Sequence, residues 1–312
     1  MEFATAQDAL GFVTDQTFRI NADVYTTQYP EMNFAELVPV NSVGPEWSSG
    51  VITYTSDSAG QAAWFSGGAK DMRLAEVVRG RTEQTFDLAG IGYDFNLEEV
   101  NRAALIGQPL TNQKADGARR ASLEFVHNAA LYGDTLKNFA GLVNSAAVAQ
   151  GLVANNAGAT SRLWANKTPN EILADINGVL TGIYTGSSTV EMADTLLLPI
   201  ASYLTLGQTR VAADTTDTVL AFLQRTNAYT MVTGKPLTIR GVRRLETMGA
   251  GGLARMVAYR RDPSVVEFHY PMPHRFMPVW QNGPINFLVP GIFRIGGCEF
   301  KRPSAIRYAD GF

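Results

Sequence analysis

The stretch EFVHNAALYGDTLKNFAGLVN, residues 124–144, combines the end of a helix with a sharp change of chain direction. Apolar residues recur at helical spacing in and just before this stretch: Ala118, Leu123, Phe125, Val126, Ala129, Ala130 and Tyr132. The spacing predicts a helix over residues 113–132, about 30 Å long. Gly133 tolerates the left-handed conformation that ends a helix. We therefore expect a straight rod that stops at Tyr132.

The composition is that of a folded protein with few charges. Hydrophobic residues make up 46% of the 312 residues, and charged residues make up 18%, below the usual quarter. The low share of charges indicates that part of the surface contacts partners. A net charge of −3 does not suit a protein whose main task is to bind phosphates, because each phosphate contact needs a Lys or Arg.

Cysteine content and targeting signals restrict the compartment. The chain has one cysteine, Cys298, which excludes disulfide frameworks and Cys-based zinc sites within one chain. The first residues, MEFATAQDALGF, lack the basic start and apolar core of a signal peptide. No run of about 18 apolar residues occurs, so we expect no membrane span. We expect the protein to be cytoplasmic where it is made.

Two segments near the N-terminus cannot form a stable core alone. Residues 1–45 carry aromatic residues without helical or strand periodicity: Phe12, Phe18, Tyr25, Tyr29 and Phe34. We interpret them as an arm that packs on something else, such as another subunit. Residues 50–95 predict a strand, a long loop with a bend at Trp64 and Phe65, and a returning strand. An isolated hairpin is marginal in water, so this one needs a neighbour.

The loop over residues 67–82 carries charges of both signs. It contains four cations and two acids: Lys70, Arg73, Arg79, Arg81, Asp71 and Glu76. A nucleic-acid patch would lack the acids. Mixed charge is typical both of a salt-bridged contact with another protein surface and of a solvated loop, and the residues alone leave both open.

The rest of the chain predicts mixed helices and strands. Thr168, Pro169 and Glu171 predict the capped start of a helix over residues 169–185 with a full apolar stripe. Further elements are expected as a short helix from residue 96, a loop at 145–163, a buried strand at 195–199, a helix at 217–226, a strand at 236–245, and strands at 256–259, 265–270, 285–289, 292–295, 299–301 and 306–308.

The three histidines do not show the spacing of a metal site. His269 and His274 lie five residues apart in a proline-containing loop, a poor spacing for ligands of one ion. His127 lies within the long helix, where packing or solvent contact explains it. We therefore predict no metal site.

Other chemistry-bearing residues also have ordinary explanations. Cys298 follows two glycines in a strand and has no recognisable base, so we interpret it as a small buried hydrophobe. Glu98 and Glu99 stand at a helix start, where acids are common. The glycines at 234 and 249–252 lack the spacing of a nucleotide loop and indicate turns. We expect no cofactor and no enzyme activity; the rival interpretation is a hydrolase or sugar-binding enzyme of mixed fold.

The order of the segments resembles a known family. An arm, an extended hairpin, a long helix ending in Tyr-Gly-Asp, a loop with Gly-Leu-x-Asn and a capped second helix precede a mixed domain. Short stretches with the same resemblance are Gly133-Asp134, GLVN at 141–144, Asp175, and residues 195–199, 259–263 and 302–306. Over nearly its whole length the chain is similar to the major capsid proteins of tailed bacteriophages, which have the α+β Hong Kong 97-type fold.

The resemblance implies a part for each segment. The helix at 113–132 would be the spine helix of a peripheral domain. The parts are an N-arm at 1–45, an extended β-hairpin E-loop at 46–95 that lies over a neighbouring subunit, a peripheral domain at 96–190 and 255–295, and an axial domain at 191–254 and 296–312. The implied assembly contacts are Trp64, Phe65, Lys70, Arg73, Arg79, Arg81, Phe12, Phe18, Tyr25 and Tyr29.

The resemblance also implies an assembly and its partners. Copies of the chain would form pentamers and hexamers that close into an icosahedral shell around double-stranded DNA, without sequence-specific binding. A scaffold, a portal, and minor capsid or decoration proteins would be the other partners. The protein would belong to the virion and be assembled in the host cytoplasm. The alternative is an encapsulin-type cellular shell of the same fold that stores an enzyme.

Two further features occur in some members of the family. One is a covalent bond between an E-loop lysine and an asparagine of a neighbour; Lys70 is the one E-loop lysine here, with Asn282 or Asn286 as candidate partners. The other is a cleaved N-terminal scaffold segment. No long charged helical region precedes the arm, so we expect a separate scaffold protein or a segment already removed.

Overall fold

The computed structural model describes residues 30–60, 74–106, 110–212 and 214–312, together with residues 62 and 64. Asn33–Phe312 forms a unit of its own. The helices are α1 Phe34–Leu37, α2 Leu97–Ile106, α3 Leu110–Tyr132, α4 Pro169–Gly186, α5 Ile200–Gln208, α6 Val219–Arg225 and α7 Ala228–Thr233. The strands are β1 Val40–Asn41, β2 Gly50–Ala59, β3 Glu76–Thr85, β4 Asp87–Gly90, β5 Tyr93–Asn96, β6 Ala149–Leu152, β7 Thr195–Pro199, β8 Thr238–Val242, β9 Arg255–Tyr259, β10 Val266–His269, β11 Met272–Phe276, β12 Trp280–Gln281, β13 Asn286–Val289, β14 Gly291–Ile295, β15 Cys298–Phe300 and β16 Ile306–Asp310.

A five-stranded sheet in the order β6-β16-β9-β7-β8 separates two hydrophobic cores. Side chains alternate between the two faces of a strand. Leu197 and Val257 therefore point into one core, which they share with α3. Leu196 and Met256 point into the other, which they share with α4 and α6. The sheet is thus covered on both faces, as in other layered folds with one sheet and helices on either side.

The long helix α3 ends where the sequence predicts and begins three residues earlier, at Leu110 instead of residue 113. Val126, Ala129 and Ala130 are buried against the first core. Leu123 and Phe125, which the apolar spacing placed on or beside the buried face, are instead exposed. The buried stripe is narrower than the apolar stripe because the core contacts only part of the helix circumference.

The chain after α3 folds back and pairs with the end of the same helix. Gly133 has φ +69°, in the left-handed region, and its N–H donates to the Ala129 carbonyl at 3.0 Å. The Leu142 N–H then donates to the Ala130 carbonyl at 2.9 Å, and the Asn144 side-chain amide donates to the Tyr132 carbonyl. The last carbonyls of a helix normally lack partners. Here the returning chain supplies them, so the rod can end abruptly inside the protein.

The second helix, α4, has the predicted capping box and ends one residue later than expected, at Gly186. The Glu171 N–H donates to the Thr168 hydroxyl at 3.4 Å, and the Glu171 carboxylate accepts from the Thr168 N–H at 2.6 Å. This reciprocal pair confirms the start that the sequence predicts.

Most other predicted elements are confirmed with ends that differ by a few residues, and seven helices and strands were not predicted: α1, α5, α7, β1, β6, β11 and β12. The returning strand expected within residues 50–95 is instead three strands, β3, β4 and β5, and of these only β3 pairs with β2. The helix expected at 217–226 spans Val219–Arg225, and the strand expected at 236–245 spans Thr238–Val242. The predicted loop at 145–163 contains β6, and α5 and α7 were also missed. β6 has the sequence AQGL, which shows no apolar alternation. It was missed because the hydrogen bonds that form this strand come from a distant partner, β16.

The loop predicted around the two neighbouring histidines is incorrect. His269 ends β10, and His274 lies within β11, which pairs with β14. The prolines in this region flank or interrupt short strands, as edge and bulge positions allow. Among the described residues, no helix is long and apolar enough to cross a membrane.

Candidate assembly surface

The most exposed element of the described chain is a hairpin of two ten-residue strands. β2 and β3 pair in antiparallel register from Gly50 opposite Thr85 to Ala59 opposite Glu76. Almost every side chain of β3 is exposed, and residues 54–58 of β2 are exposed too. Two strands alone bury too little surface to be stable in water. The outer part of this hairpin therefore has no supporting layer among the described residues.

The root of the hairpin is anchored to the body of the protein. Phe86 directly follows β3, is buried, and places its ring 5.5 Å from the ring of His269. The side chains of Thr53 and Gln84 also face the body: Thr53 lies near Glu299, and Gln84 donates to the Gly296 carbonyl. These contacts fix one face of the hairpin toward the body at its base.

The opposite face of the hairpin points away from the body and combines apolar and cationic side chains. Side chains alternate along a strand, so Ile52 and Tyr54, the neighbours of Thr53, lie on the opposite face of the hairpin from Thr53. In the observed register this outward face carries Ile52, Tyr54, Val77, Arg79, Arg81 and Glu83. Tyr54 is 70% exposed and lies opposite Arg81, which pairs with Glu83.

Tyrosine and arginine are the residue types that most often dominate the binding free energy of protein interfaces. An exposed face that holds both, next to aliphatic side chains, can bury apolar area and donate several hydrogen bonds to an acceptor. The outward face of the hairpin is therefore the best candidate surface for contact with another protein chain.

The structure brings some of the expected contact residues together and leaves others outside its described part. Arg79 and Arg81 lie two residues apart on the outward face. Trp64, in the connection between the two strands, is fully exposed. The remaining candidates lie outside the described residues: Phe12, Phe18, Tyr25, Tyr29, Phe65, Lys70 and Arg73.

A second exposed apolar group was missed by the sequence reasoning. This group lies at the tip of the three-stranded sheet β12-β13-β5. It consists of Val279, just before β12, Trp280, in β12, and Ile285, just before β13. The sequence signal for this group was the Val279-Trp280 pair between Pro278 and Pro284. The prolines led to the interpretation of this region as a loop. Asn282 and Asn286 lie in the same turn, where the Asn282 N–H donates to the Asn286 carbonyl at 2.9 Å.

The residues considered for catalysis are buried in the core or take part in surface ion pairs. Cys298 is buried, burial raises the pKa of its thiol, and its Sγ lies 3.1 Å from the Ala130 carbonyl. Glu99 accepts from Lys114 at 2.8 Å, and this hydrogen bond lowers the pKa of the Glu99 carboxyl. Glu98 pairs with Arg102 at 2.7 Å. These groups are occupied in packing or surface ion pairs.

Comparison with known proteins adds a family and a fold. A family model described as major capsid protein matches residues 60–312. The structure is similar to the capsid of Myoviridae phage XM1, with a TM-score of 0.80 and 16% identity over 96% of this chain and 98% of that chain. It is also similar to the capsid of an empty GTA particle, with a TM-score of 0.66 and 11% identity over 98% of this chain and 97% of that chain.

A virus-like particle from Pyrococcus furiosus is less similar, with a TM-score of 0.51 and 13% identity over 88% of this chain and 90% of that chain. No curated protein matched the chain. At these identities the structural matches establish the fold alone, and they confirm the α+β capsid architecture that the resemblance implied.

Proposed function

Because the chain belongs to the major capsid protein family and has the Hong Kong 97-type fold, we propose that it self-assembles through pentamers and hexamers into an icosahedral shell. The shell encloses the double-stranded DNA of a tailed phage. The family is a structural one, not a class of enzymes. The protein is thus a component of a phage capsid or a phage-like particle.

The observation that carries the proposal is the anchored hairpin with an unsupported outward face. Its root is fixed to the body, so the outer part projects in a defined direction. Its exposed Tyr54, Arg79 and Arg81 match the composition of protein interfaces. A second copy of the chain provides the layer that the two strands lack.

Contact between the hairpin of one copy and a different surface of the next is heterologous. Such contacts close into rings when the rotation between copies divides a full turn evenly. A shell repeats each contact many times, so weak individual contacts add up to a stable particle. The arm at 1–45, with its aromatic residues, supplies further contacts between copies in this proposal.

The shell lies around its DNA without binding particular sequences. The 29 acidic residues outnumber the 26 Lys and Arg residues, so the chain has no excess of positive charge for phosphates, and strong attraction to the interior wall would oppose packing and release. A scaffold, a portal and minor capsid or decoration proteins complete the proposed assembly, which takes place in the host cytoplasm. The encapsulin-type alternative is not favoured, since a phage capsid matches with a TM-score of 0.80.

The assignment of segments to domains belongs to the same proposal. Residues 96–190 and 255–295 form the peripheral domain, and residues 191–254 and 296–312 form the axial domain. The five-stranded sheet adds a constraint, because β9 pairs with both β7 and β16. Arg255–Tyr259, which this assignment gives to the peripheral domain, is therefore hydrogen-bonded to axial strands on both sides.

The first test is expression of the full chain alone, with particle mass measured by light scattering and shape by negative-stain microscopy. We expect closed shells, or rings of five and six copies. A monomer that stays monomeric at high concentration and after addition of the cognate scaffold would contradict the proposal. Nucleic acid in particles purified from infected cells supports the phage shell, and a packaged enzyme supports the encapsulin-type alternative.

A further inference from the structure

Beneath the root of the hairpin, three potential metal ligands meet on one face of a small sheet. β10 and β15 pair in antiparallel register, with Glu267 opposite Glu299. His269 lies two residues after Glu267 and therefore on the same face. The ligand atoms of the three side chains all lie within 4.8 Å of one another, and all three residues are buried. The opposite face of these strands, with Phe268 and Cys298, belongs to the hydrophobic core.

The charges around this cluster do not balance when the imidazole is neutral. The Lys301 ammonium lies 2.5 Å from the Glu267 carboxylate, and the His269 Nε2 lies 2.8 Å from the Glu299 carboxylate. Two carboxylates therefore share one ammonium and one imidazole in this cluster. A buried charge without compensation is costly. The cluster is therefore a place where the protein stabilises added positive charge.

A metal ion in this cluster would compete with the Lys301 ammonium for the Glu267 carboxylate. The side chain of Lys301 is 26% exposed, so it can turn toward water and release Glu267.

We propose that Glu267, His269 and Glu299 form a binding site for a divalent transition-metal ion, with Zn²⁺ as the probe. One imidazole nitrogen and two carboxylate oxygens are a donor set that zinc accepts, whereas calcium and magnesium prefer oxygen alone. The ion would join β10 to β15 directly below Thr53 and Phe86, and so stiffen the base of the hairpin. The site does not depend on shell assembly.

Isothermal titration of the purified full chain with ZnCl₂ tests the site. We expect one zinc ion per chain, binding at least about a hundredfold weaker in H269Q and in E299Q, since each variant loses a direct ligand. K301M should bind zinc about tenfold more tightly, because it removes a positive charge close to the ion. His274 lies outside the cluster, so H274Q should bind as the wild type does.

Two outcomes would overturn the site. One is the absence of binding heat in both the wild type and K301M at millimolar zinc. The other is zinc binding that persists in the H269Q/E299Q double variant with its circular dichroism spectrum intact. X-ray absorption at the zinc edge of the wild-type complex does not depend on variants that fold: nitrogen and oxygen ligands at about 2.0–2.2 Å with one imidazole support the site, and a shell of oxygen alone contradicts it.

Discussion

At the scale of single residues, two glycines determine how the long helix ends. Gly133 has φ +69°, and a Cβ atom there would collide with the Phe139 carbonyl. Gly141 lies where the returning chain passes closest to the helix, and a Cβ atom there would collide with the Leu131 carbonyl. Both obstacles are backbone atoms, which cannot rotate away as a side chain can.

Substitution of Gly141 by Ala should therefore destabilise the protein strongly. We expect the free energy of unfolding of G141A to fall by about 2–4 kcal/mol, because the returning chain must move and the helix carbonyls lose their partners. Chemical denaturation of the unassembled chain measures the change.

Gly117, in the same helix, is the matched control because nothing lies within 4 Å of an added Cβ atom. G117A should gain about 0.5–1 kcal/mol, the usual preference for Ala over Gly inside a helix. Equal stability of G141A and the wild type would show that the close approach is not maintained in solution.

Neighbouring valines on opposite faces of the hairpin test which face contacts another copy. Val77 and Val78 are each 59% exposed, but Val77 lies on the outward face and Val78 on the other. V77D should lower the yield of particles at least about tenfold, since a charge would be buried at the contact. V78D should assemble close to normally. Sedimentation velocity measures both yields, and the proposed face is wrong if V78D fails and V77D assembles.

At the scale of elements, ion pairs to one buried carboxylate join segments that lie far apart in the chain. Glu191, just after α4, is buried and accepts from Arg260 after β9 and from Arg302 after β15, each at 2.7 Å. Burial raises the pKa of the Glu191 carboxyl, but the hydrogen bonds from the two arginines outweigh it, and the pKa lies below its ordinary value. The junction thus holds a helix and two strands together as long as Glu191 is ionised.

The stabilisation from Glu191 should depend on pH. A carboxyl group whose pKa is lowered by folding stabilises the protein above its unfolded pKa and loses this effect as the pH falls through its folded pKa. At pH 7 we expect E191Q to be less stable than the wild type by about 1–3 kcal/mol. The difference should shrink below the ordinary pKa of 4.5.

Denaturation of both proteins between pH 3 and pH 7 provides the measurement. Glu98 is the control, because its pair with Arg102 is exposed and E98Q should change the stability by less than about 1 kcal/mol. A difference between E191Q and the wild type that is independent of pH would show that packing, and not charge, holds the junction.

At the scale of the whole molecule, the two hydrophobic cores and the hairpin proposed for assembly are separate parts of the described chain. The two cores lie on either side of the five-stranded sheet, and the hairpin belongs to neither. Gly50 and Thr85 face each other across the hairpin root, so the chain can be closed there with a short linker. Loss of the hairpin therefore need not disturb the cores.

Replacement of residues 51–84 by a four-residue Gly-Ser linker should separate the two functions. We expect a folded monomer whose unfolding midpoint lies within about 5 °C of that of the unassembled full chain, a shift equivalent to about 1–2 kcal/mol. We expect no shells or rings from it. Calorimetry and light scattering measure the two properties, and the formation of normal shells by this variant would refute the role proposed for the hairpin.

The sequence by itself determined the features that depend on neighbouring residues. The end of α3 at Gly133, the capping box of α4 and the buried strand β7 were all predicted, because turn chemistry, caps and apolar runs act over a few residues. A projecting hairpin was also predicted over residues 50–95, of which Gly50–Thr85 forms it. The order of the segments along the chain then indicated the capsid fold, which the structural matches confirm.

Only the tertiary structure decided what depends on distant partners. β6 exists because β16 supplies its hydrogen bonds, and Phe125 of α3 stays 43% exposed although its ring contacts the buried Phe293. The outward face of the hairpin follows from the contacts at its root. Glu267 and Glu299 meet because two strands pair across 32 residues of sequence, a proximity that no local pattern encodes.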